Sequence, residues 1–306
     1  MNLNGLDLNL LVALNALLDE QSVTRAGERL HLSQSTMSGA LARLREHFGD
    51  PLLVPLGRKL RRSALGDALT APVRAILMQI TAVFETRPLF DPSTSTRCFK
   101  VMASDYGSTV LIAEFLSRIK DRAPRIGVEI IPFADSPAQF LEEGDLDALI
   151  ISREFLSPHH PSELLFTDTF ACVAWQGNKG IGKRFDMEEF LNLGHVVVKY
   201  GKHGIAHIEE RFFQRAGHKR RIEVTVTCFS AVPRFSVGTY RIAMMHRRLA
   251  KLYARTMPLK LLPPPIKMPI LEQSMQWHTY RSDDPGGLWF REELRRVARS
   301  LADQPA

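Results

Sequence analysis

Cysteine is scarce in this chain of 306 residues, which has only three. Cys98, Cys172 and Cys228 lie far apart and form no C-x-x-C pair. This spacing argues against both a disulfide framework and a cysteine-ligated zinc site. We therefore expect a protein of the reducing cytoplasm that holds no metal and no cofactor.

Secretion and catalytic signals are also missing. The first 21 residues lack a basic segment and a small-residue cleavage site, and Asp7, Asn9 and Asn15 interrupt their apolar residues. We expect neither a signal peptide nor a membrane span, which argues against a secreted solute-binding protein. No G-x-S-x-G or H-E-x-x-H motif occurs. We predict no catalytic residues and therefore no enzyme.

The composition is that of a globular protein with a cationic balance. Apolar residues make up 45% of the chain and the formal net charge is +7. The length predicts two or three folding units. The charge permits a polyanionic partner without proving one.

The first 48 residues predict three helices. Leucines recur at helical spacing up to Glu20, Ser22 can cap a second helix, and Ser33 can cap a third that ends near Phe48. In the third helix an apolar stripe faces a polar side with small residues, the pattern of a helix-turn-helix recognition helix. A plain three-helix bundle is the alternative. The residues that would read or position DNA in this helix are Ser33, Gln34, Ser35, Thr36, Ser38 and Arg43.

A cationic hairpin follows. Leu52 to Leu56 predicts a short strand, Gly57 a turn, and the next residues a return strand with four cations in five positions. Such a run is often only a solvated face. Because this one adjoins the helical pattern, we assign Arg58 and Arg61 to the DNA phosphates.

From Ser63 a long helix is predicted to about Thr86, with an apolar stripe that needs a partner. Dimerisation is our interpretation, and packing on the rest of the chain is the alternative. We expect Pro72 to remove one helical hydrogen bond and to bend this helix. The stripe consists of Leu69, Val73, Ile76, Ile80 and Val83.

Beyond a Pro-, Ser- and Thr-rich hinge, strands and helices alternate in two series. We predict strands at Phe99 to Ser104, Gly127 to Pro132, Ala148 to Ser152, Phe170 to Trp175, His195 to Lys199, Ile222 to Thr227 and Arg241 to Met245. Helices are predicted near Thr109 to Asp121 and Pro137 to Glu143. Strand Ser274 to Tyr280 and a helix from Pro285 to Leu301 would complete the first lobe. Two α/β lobes joined by crossing strands enclose a ligand cleft.

The stretch TRAGERLHLSQSTMSGALARLRE resembles the signature of LysR-type transcriptional regulators. SALG at 63–66 and GDLDALI at 144–150 resemble the family's linker-helix start and a sensor strand. GLDLNLLVALNALL, LFTDTFACVA and HKRRIEV are similar to the branch of nodulation regulators and of regulators of aromatic and chloroaromatic catabolism. Two departures are Gly27, which we expect to loosen helix packing, and Pro55, which stands where the wing often has arginine.

The resemblance implies an α/β protein with an N-terminal, all-α winged helix-turn-helix and a two-lobed effector domain like a periplasmic binding protein. We divide the chain into a DNA-binding domain (1–64), a dimerising linker helix (65–87), a hinge (88–96) and an effector domain (97–306). Lobe 1 would take about 97–166 and 268–306, and lobe 2 about 167–267. The implied partners are double-stranded promoter DNA, a small aromatic or phenolic effector and further copies of the chain, as a dimer or tetramer. RNA polymerase is a further candidate partner.

Aromatic and hydrogen-bonding residues near strand ends suggest a pocket for a small phenolic ring. Each of them alone suits core packing equally well, and Asp105 could instead cap a helix while Asp168 could only order the crossover. A LysR-type regulator with a non-aromatic signal, or with a redox signal at a cysteine, stays an alternative. The effector-binding candidates are Ser104, Asp105, Tyr106, Asp168, Phe170, Tyr200, His203 and Phe229.

Overall fold

The computed structural model describes residues 7–57, 59–85, 90–133, 137–182, 184–200, 205–206 and 208–302. It divides into two compact units, one within residues 1–86 together with 142–144, the other comprising the remainder. The first unit contains α1 (Leu8–Glu20), α2 (Val23–Leu30), α3 (Gln34–Phe48), β1 (Leu53–Leu56), β2 (Lys59–Arg62) and α4 (Ala64–Glu85).

Local capping sets the boundaries of the first three helices. The Ser22 side chain accepts a hydrogen bond from the Arg25 amide, and Ser33 does the same for Thr36 at the start of α3. Gln21, His31 and Gly49 end α1, α2 and α3 in the left-handed conformation. The predicted helices and both serine caps are confirmed.

The second unit contains two sheets. Its elements are β3 (Cys98–Ala103), α5 (Asp105–Gly107), a π-helical turn (Ser108–Ile112), α6 (Ala113–Ile119), β4 (Gly127–Ile131), α7 (Pro137–Glu142), β5 (Ala148–Ser152), β6 (Ser162–Asp168), β7 (Phe170–Trp175), α8 (Met187–Asn192), β8 (Gly194–Tyr200), β9 (Ile205–Ala206), α9 (Ile208–Arg215), β10 (Arg221–Val226), α10 (Val232–Ser236), β11 (Ile242–His246), α11 (Arg247–Ala254), β12 (Leu259–Leu262), β13 (Leu271–Gln276) and α12 (Pro285–Ala302).

Each sheet forms one lobe. Lobe 1 has the strand order β4-β3-β5-β13-β6, and lobe 2 has β10-β8-β11-β7-β12 with β9 beside β8. Both sheets are mixed: β3 pairs parallel with β4 and β5, and β8 pairs parallel with β10 and β11, whereas β13 and β7 pair antiparallel with their neighbours. Successive residues of the inner strands are buried, so these strands are covered on both faces; Val196, Val197 and Val198 in β8 are all buried. The chain passes from lobe 1 to lobe 2 at Thr169, between β6 and β7, and returns between β12 and β13.

Three features of this unit differ from the sequence predictions. Strands β6 and β12 were not predicted, since both lie at sheet edges and β6 mixes polar and apolar residues. The strand predicted to reach Tyr280 ends at Gln276, because the His278 side chain accepts a hydrogen bond from the Tyr280 amide and starts a 3-10 turn. The helix predicted from Thr109 begins at Asp105, where Ser104 caps it.

Gly66 provides a test of packing in the first unit. A Cβ at this position of α4 would lie 2.5 Å from the Leu52 carbonyl oxygen and 3.3 Å from Leu18 Cδ2. Gly66→Ala should therefore lower the free energy of unfolding by about 1–3 kcal/mol, as overpacked cores do. The measurement is the urea midpoint of the full-length protein.

Gly39→Ala is the matched control. Nothing lies within 4 Å of a Cβ at Gly39, so this change in α3 should stabilise the helix by up to about 1 kcal/mol. Equal urea midpoints for the two variants would show that the close approach at Gly66 does not affect the free energy of unfolding.

Candidate functional site

The first turn of α3 faces solvent. Met37, Leu41 and Leu44 bury the opposite side of the helix, while the Ser33 hydroxyl accepts from the Thr36 amide at 3.1 Å and lies 2.8 Å from Ser35 Oγ. Packing on one side and capping at the N-terminus together fix which residues point outward. The predicted base-reading residues all lie exposed on this turn: Gln34, Ser35, Thr36 and Ser38.

Gly27 is the point of close approach between α2 and the start of α3. A Cβ there would lie 2.8 Å from the Leu32 carbonyl oxygen and 3.4 Å from Met37 Cγ. The expectation that this glycine loosens the packing is therefore wrong. It lets the turn before α3 come closer than an alanine would.

Two arginines hold the hairpin of β1 and β2 beside α3. Arg45 donates from Nε to the Pro51 carbonyl at 2.9 Å and from Nη2 to Leu53 at 3.0 Å, while Arg62 donates from Nε to the Leu18 carbonyl at 2.8 Å. The guanidinium groups satisfy backbone carbonyls, so Arg45 joins the wing to α3 and Arg62 joins it to α1.

Two of the predicted phosphate contacts, Arg43 and Arg61, are exposed. Arg61 lies on β2 opposite Val54, and Arg43 forms a solvent-exposed ion pair with Asp7 at 3.6 Å. Exposed pairs of this kind contribute little to stability, so Arg43 can exchange its partner easily. Arg58 lies outside the described residues.

The apolar stripe of α4 is divided between two environments. Val73 is buried in the core of the DNA-binding unit and Leu69 packs against that core. Ile76 is 43% exposed and Val83 is 71% exposed. Part of the stripe thus has a partner in its own unit, and the exposed remainder is the part that still needs one.

Five side chains lie close together where the two lobes contact each other. Ser104 and Asp105 follow β3 in lobe 1, and Tyr200 and Phe229 belong to lobe 2. Asp105 Oδ2 accepts from the Ser230 amide at 2.6 Å, and the Tyr200 hydroxyl interacts with the Ser104 side chain. Phe133 of lobe 1 meets the Tyr200 ring edge-on, with centroids 5.5 Å apart.

Asp105 puts negative charge on this inter-lobe surface. Its second oxygen, Oδ1, is buried and has no hydrogen-bond partner among the described residues. A buried carboxylate oxygen without a donor is costly, and a bound group that donates a hydrogen bond would remove that cost. The geometry therefore favours a ligand donor at this position.

Tyr106, Asp168 and Phe170 lie deeper, at the crossing between the lobes. Tyr106 donates its hydroxyl to Asp168 Oδ2 at 2.8 Å, and the Asp168 carboxylate also accepts from the Thr169 and Arg248 amides. Desolvation raises the pKa of Asp168, and burial raises the pKa of Tyr106 well above its ordinary value. These bonds give Asp168 the ordering role that the sequence left open.

His246 completes this buried layer, and sequence reasoning missed it. Its ring lies 4.2 Å from that of Tyr106 and 4.9 Å from those of Phe170 and Phe229, centroid to centroid. A histidine at the end of an apolar strand gives no sequence signal of this kind. His203, the remaining effector candidate, lies outside the described residues.

The three cysteines are free and differ in exposure. Cys98 is exposed, Cys172 is buried, and burial strongly raises the pKa of the Cys172 thiol. Cys228 is half-buried next to Phe229, and its Sγ accepts from the Ser230 hydroxyl at 3.3 Å. Since the thiolate is the reactive form, Cys172 is unsuited to a redox signal.

Within the described ranges, no helix combines the length and the apolar character of a membrane span. The same part of the chain contains no group of three histidine, cysteine, aspartate or glutamate side chains that could hold a metal ion.

Comparison with protein families matches both units. Residues 8–67 match the family described as bacterial regulatory helix-turn-helix protein, lysR family, and residues 95–299 match the LysR substrate binding domain. Nodulation protein D 1 of Bradyrhizobium elkanii is 38% identical over 301 residues, covering 98% of this chain and 96% of the relative. Nodulation protein D 2 of Rhizobium tropici is 39% identical over 306 residues, covering 100% and 97%.

Solved structures share the fold over nearly the whole chain. A full-length OxyR variant from Pseudomonas aeruginosa has a TM-score of 0.71 at 18% identity, covering 96% of this chain and 95% of that one. CbnR, a LysR family transcriptional regulator, has a TM-score of 0.56 at 18% identity, covering 96% and 99%. Full-length CbnR complexed with its target DNA has a TM-score of 0.52 at 16% identity, covering 96% and 100%.

The Tyr106 to Asp168 bond predicts a pH-dependent loss of stability. Tyr106→Phe removes a donor from a buried carboxylate, so it should lower the free energy of unfolding at neutral pH by about 1–3 kcal/mol. That bond also lowers the pKa of Asp168 against the larger effect of desolvation, so its loss raises the folded-state pKa further. The penalty therefore applies while Asp168 is ionised and should shrink as pH falls through the folded-state pKa.

Thermal and urea unfolding at neutral and mildly acidic pH measure this effect. Tyr240→Phe is the matched control, since Tyr240 is 62% exposed, and it should change stability by less than about 0.5 kcal/mol. A Tyr106→Phe penalty that stays constant or grows on acidification would contradict the assigned role of the bond.

Proposed function

The chain belongs to the LysR family of bacterial transcription regulators, and from that premise we propose that a small aromatic or phenolic effector, held between its sensor lobes, controls how it acts on promoter DNA. Regulation of transcription through DNA binding is the activity of this family, whose members are regulators rather than enzymes. The observation that carries the proposal is the surface shared by both lobes, on which Phe133, Tyr200 and Phe229 stand beside Ser104 and Asp105.

The DNA-reading surface is the exposed turn of α3. Gln34, Ser35, Thr36 and Ser38 are short or flexible side chains that let the helix backbone approach base edges in the major groove, and Gln34 can pair with adenine. Ser33, Arg43, Arg58 and Arg61 hold phosphates on either side of it. The bonds of Arg45 and Arg62 support this assignment because they hold the wing next to α3.

A phenolic ring suits the inter-lobe surface better than an aromatic acid does. Phe133 and Tyr200 offer apolar and edge-on ring contacts, and the fully buried Phe229 packs behind Tyr200. Asp105 offers an acceptor that a phenolic hydroxyl can satisfy and that a ligand carboxylate would oppose. Similarity to nodulation protein D is consistent with an activator that senses such a compound.

The chain works as an oligomer in this proposal. The exposed Ile76 and Val83 of α4 are the natural contact of a linker-helix dimer, and sensor domains join two dimers into a tetramer. Two DNA-binding domains related by symmetry require half-sites that are separated by about one helical turn of DNA or a multiple of it. The protein acts in the cytoplasm, where it meets promoter DNA and RNA polymerase.

Substitutions in the DNA-binding domain should separate residues that read bases from residues that contact phosphates. Arg61→Ala should weaken binding to all sequences and reduce the slope of log K against log salt by about one. Gln34→Ala should alter the preference between operator variants and leave that slope nearly unchanged. Fluorescence anisotropy over a salt series measures both quantities.

Lys120→Ala is the control for these two substitutions, since it removes an exposed cation of the sensor unit. It should leave the operator preference and the salt slope unchanged. An unchanged salt slope in Arg61→Ala would remove the wing from the proposed DNA contact.

Asp105→Asn tests the effector. The amide keeps an acceptor for the Ser230 amide and removes the charge, so the affinity for a phenol relative to the corresponding benzoic acid should fall by about tenfold, the effect of about 1.4 kcal/mol. Calorimetry on the full-length protein with paired phenols and acids measures the ratio. Asp121→Asn, at an exposed carboxylate of the same lobe, should not change it. If no phenol, flavonoid or aromatic acid binds the wild-type protein, the effector proposal is wrong.

A further inference from the structure

A second concave surface of the sensor unit lies away from the inter-lobe residues described above. It is a groove of about 460 Å³ between the π-helical turn and α6 of lobe 1, α11 of lobe 2 and the end of α12. Its size is within the range of small-molecule sites, about 300–1,000 Å³. None of the residues that line it belongs to the effector candidates.

The groove is cationic. Arg118, Arg248, Lys251 and Arg255 line it, and Glu114 is the one acidic side chain among its lining residues. Glu114 already accepts from Arg118 Nε at 2.7 Å. The residues that line the groove therefore include four cations and one carboxylate, which gives this lining a net positive formal charge.

Arg248 and Lys251 of α11 lie on the same side as Arg255, the residue that caps the C-terminus of this helix. Positions 248, 251 and 255 follow the i, i+3, i+7 spacing that brings side chains above one another. Arg255 has no carboxylate within ion-pair distance in the described part of the chain, and α11 contains no acidic residue.

The groove takes these cations from both lobes. Arg118 is fixed in lobe 1 by Glu114 and by the Ser300 hydroxyl, which accepts from its Nη2 at 2.6 Å. Arg248 belongs to lobe 2, where its guanidinium lies 5.9 Å from the centroid of the Phe166 ring. A compact ligand with two or more negative charges can contact both sets, which a single carboxylate cannot do equally well.

We propose that this groove is a second ligand site, which binds a small polyanion such as a phosphorylated or polycarboxylate metabolite. Its charge preference is opposite to that of the inter-lobe surface, where Asp105 stands. A concave groove between three helices accommodates a small molecule, whereas duplex DNA would need a long, accessible cationic surface. The site does not depend on the phenolic effector, so either proposal can fail without the other.

Pyrophosphate and citrate are suitable probes of the two anion chemistries. Calorimetry on the full-length protein, with sodium chloride added to match ionic strength, measures their dissociation constants. The test variant is Lys251→Gln with Arg255→Gln, and the control is Lys120→Gln with Arg215→Gln, two exposed cations outside the groove. Both pairs remove two positive charges, so general electrostatic attraction changes equally.

We expect at least one probe to bind, with an affinity that falls at least tenfold in the groove variant and less than twofold in the control. Asp105→Asn should keep this binding. Equal losses in the two double variants would show non-specific attraction and overturn the site. Failure of both probes to bind the wild-type protein, or loss of binding only in Arg61→Ala, would overturn it as well.

Circular dichroism shows whether the groove variant is folded. If it is unfolded, Arg255→Gln alone provides the test, and its affinity should fall threefold or more. An unchanged affinity would contradict the site.

Discussion

The carboxylate of Asp168 stands where the chain passes from one lobe to the other, and the arrangement of the sensor unit depends on it. It accepts from the Tyr106 hydroxyl after β3, from the Thr169 amide in the crossing itself and from the Arg248 amide in α11. One buried side chain thus joins three segments that are distant in sequence. Because a buried carboxylate is costly unless it is well hydrogen-bonded, these three segments are held in one geometry.

Arginine plays a comparable part in the DNA-binding unit. The planar guanidinium of Arg45 donates two hydrogen bonds to backbone carbonyls in the turn before β1 and at the start of β1. That of Arg62 donates one to a carbonyl near the end of α1. The wing is a two-stranded hairpin, and such a hairpin is marginally stable by itself. These contacts hold both four-residue strands in a defined position beside α3. Arg61 of β2 remains exposed there.

Periodicity and capping predicted much of this fold from sequence. Ser22 and Ser33 act within three residues of themselves, so their role is readable locally. Strand β6 was not predicted because its pattern depends on pairing with β13, more than a hundred residues away. The roles of Arg62 and His246 were missed for a similar reason, since their partners are distant in sequence. The effector candidates were identified as one group, but sequence could not separate Tyr106 and Phe170 in the buried layer from Asp105 and Tyr200 at the inter-lobe surface.

That separation into layers has an energetic meaning for signalling. The deep layer is buried and its hydrogen bonds are costly to break, whereas the bond from the Ser230 amide to Asp105 is exposed. An exposed bond of this kind contributes about 0.5–1.5 kcal/mol net, so a ligand that offers its own donor can replace it at little cost. A ligand shifts the equilibrium between two arrangements of the protein only by the difference between its affinities for them. A coupling free energy of about 1–3 kcal/mol between two sites is typical of allosteric proteins. In the proposed mechanism the ligand would act at the inter-lobe surface, while the three hydrogen bonds of Asp168 hold the crossing between the lobes in one geometry.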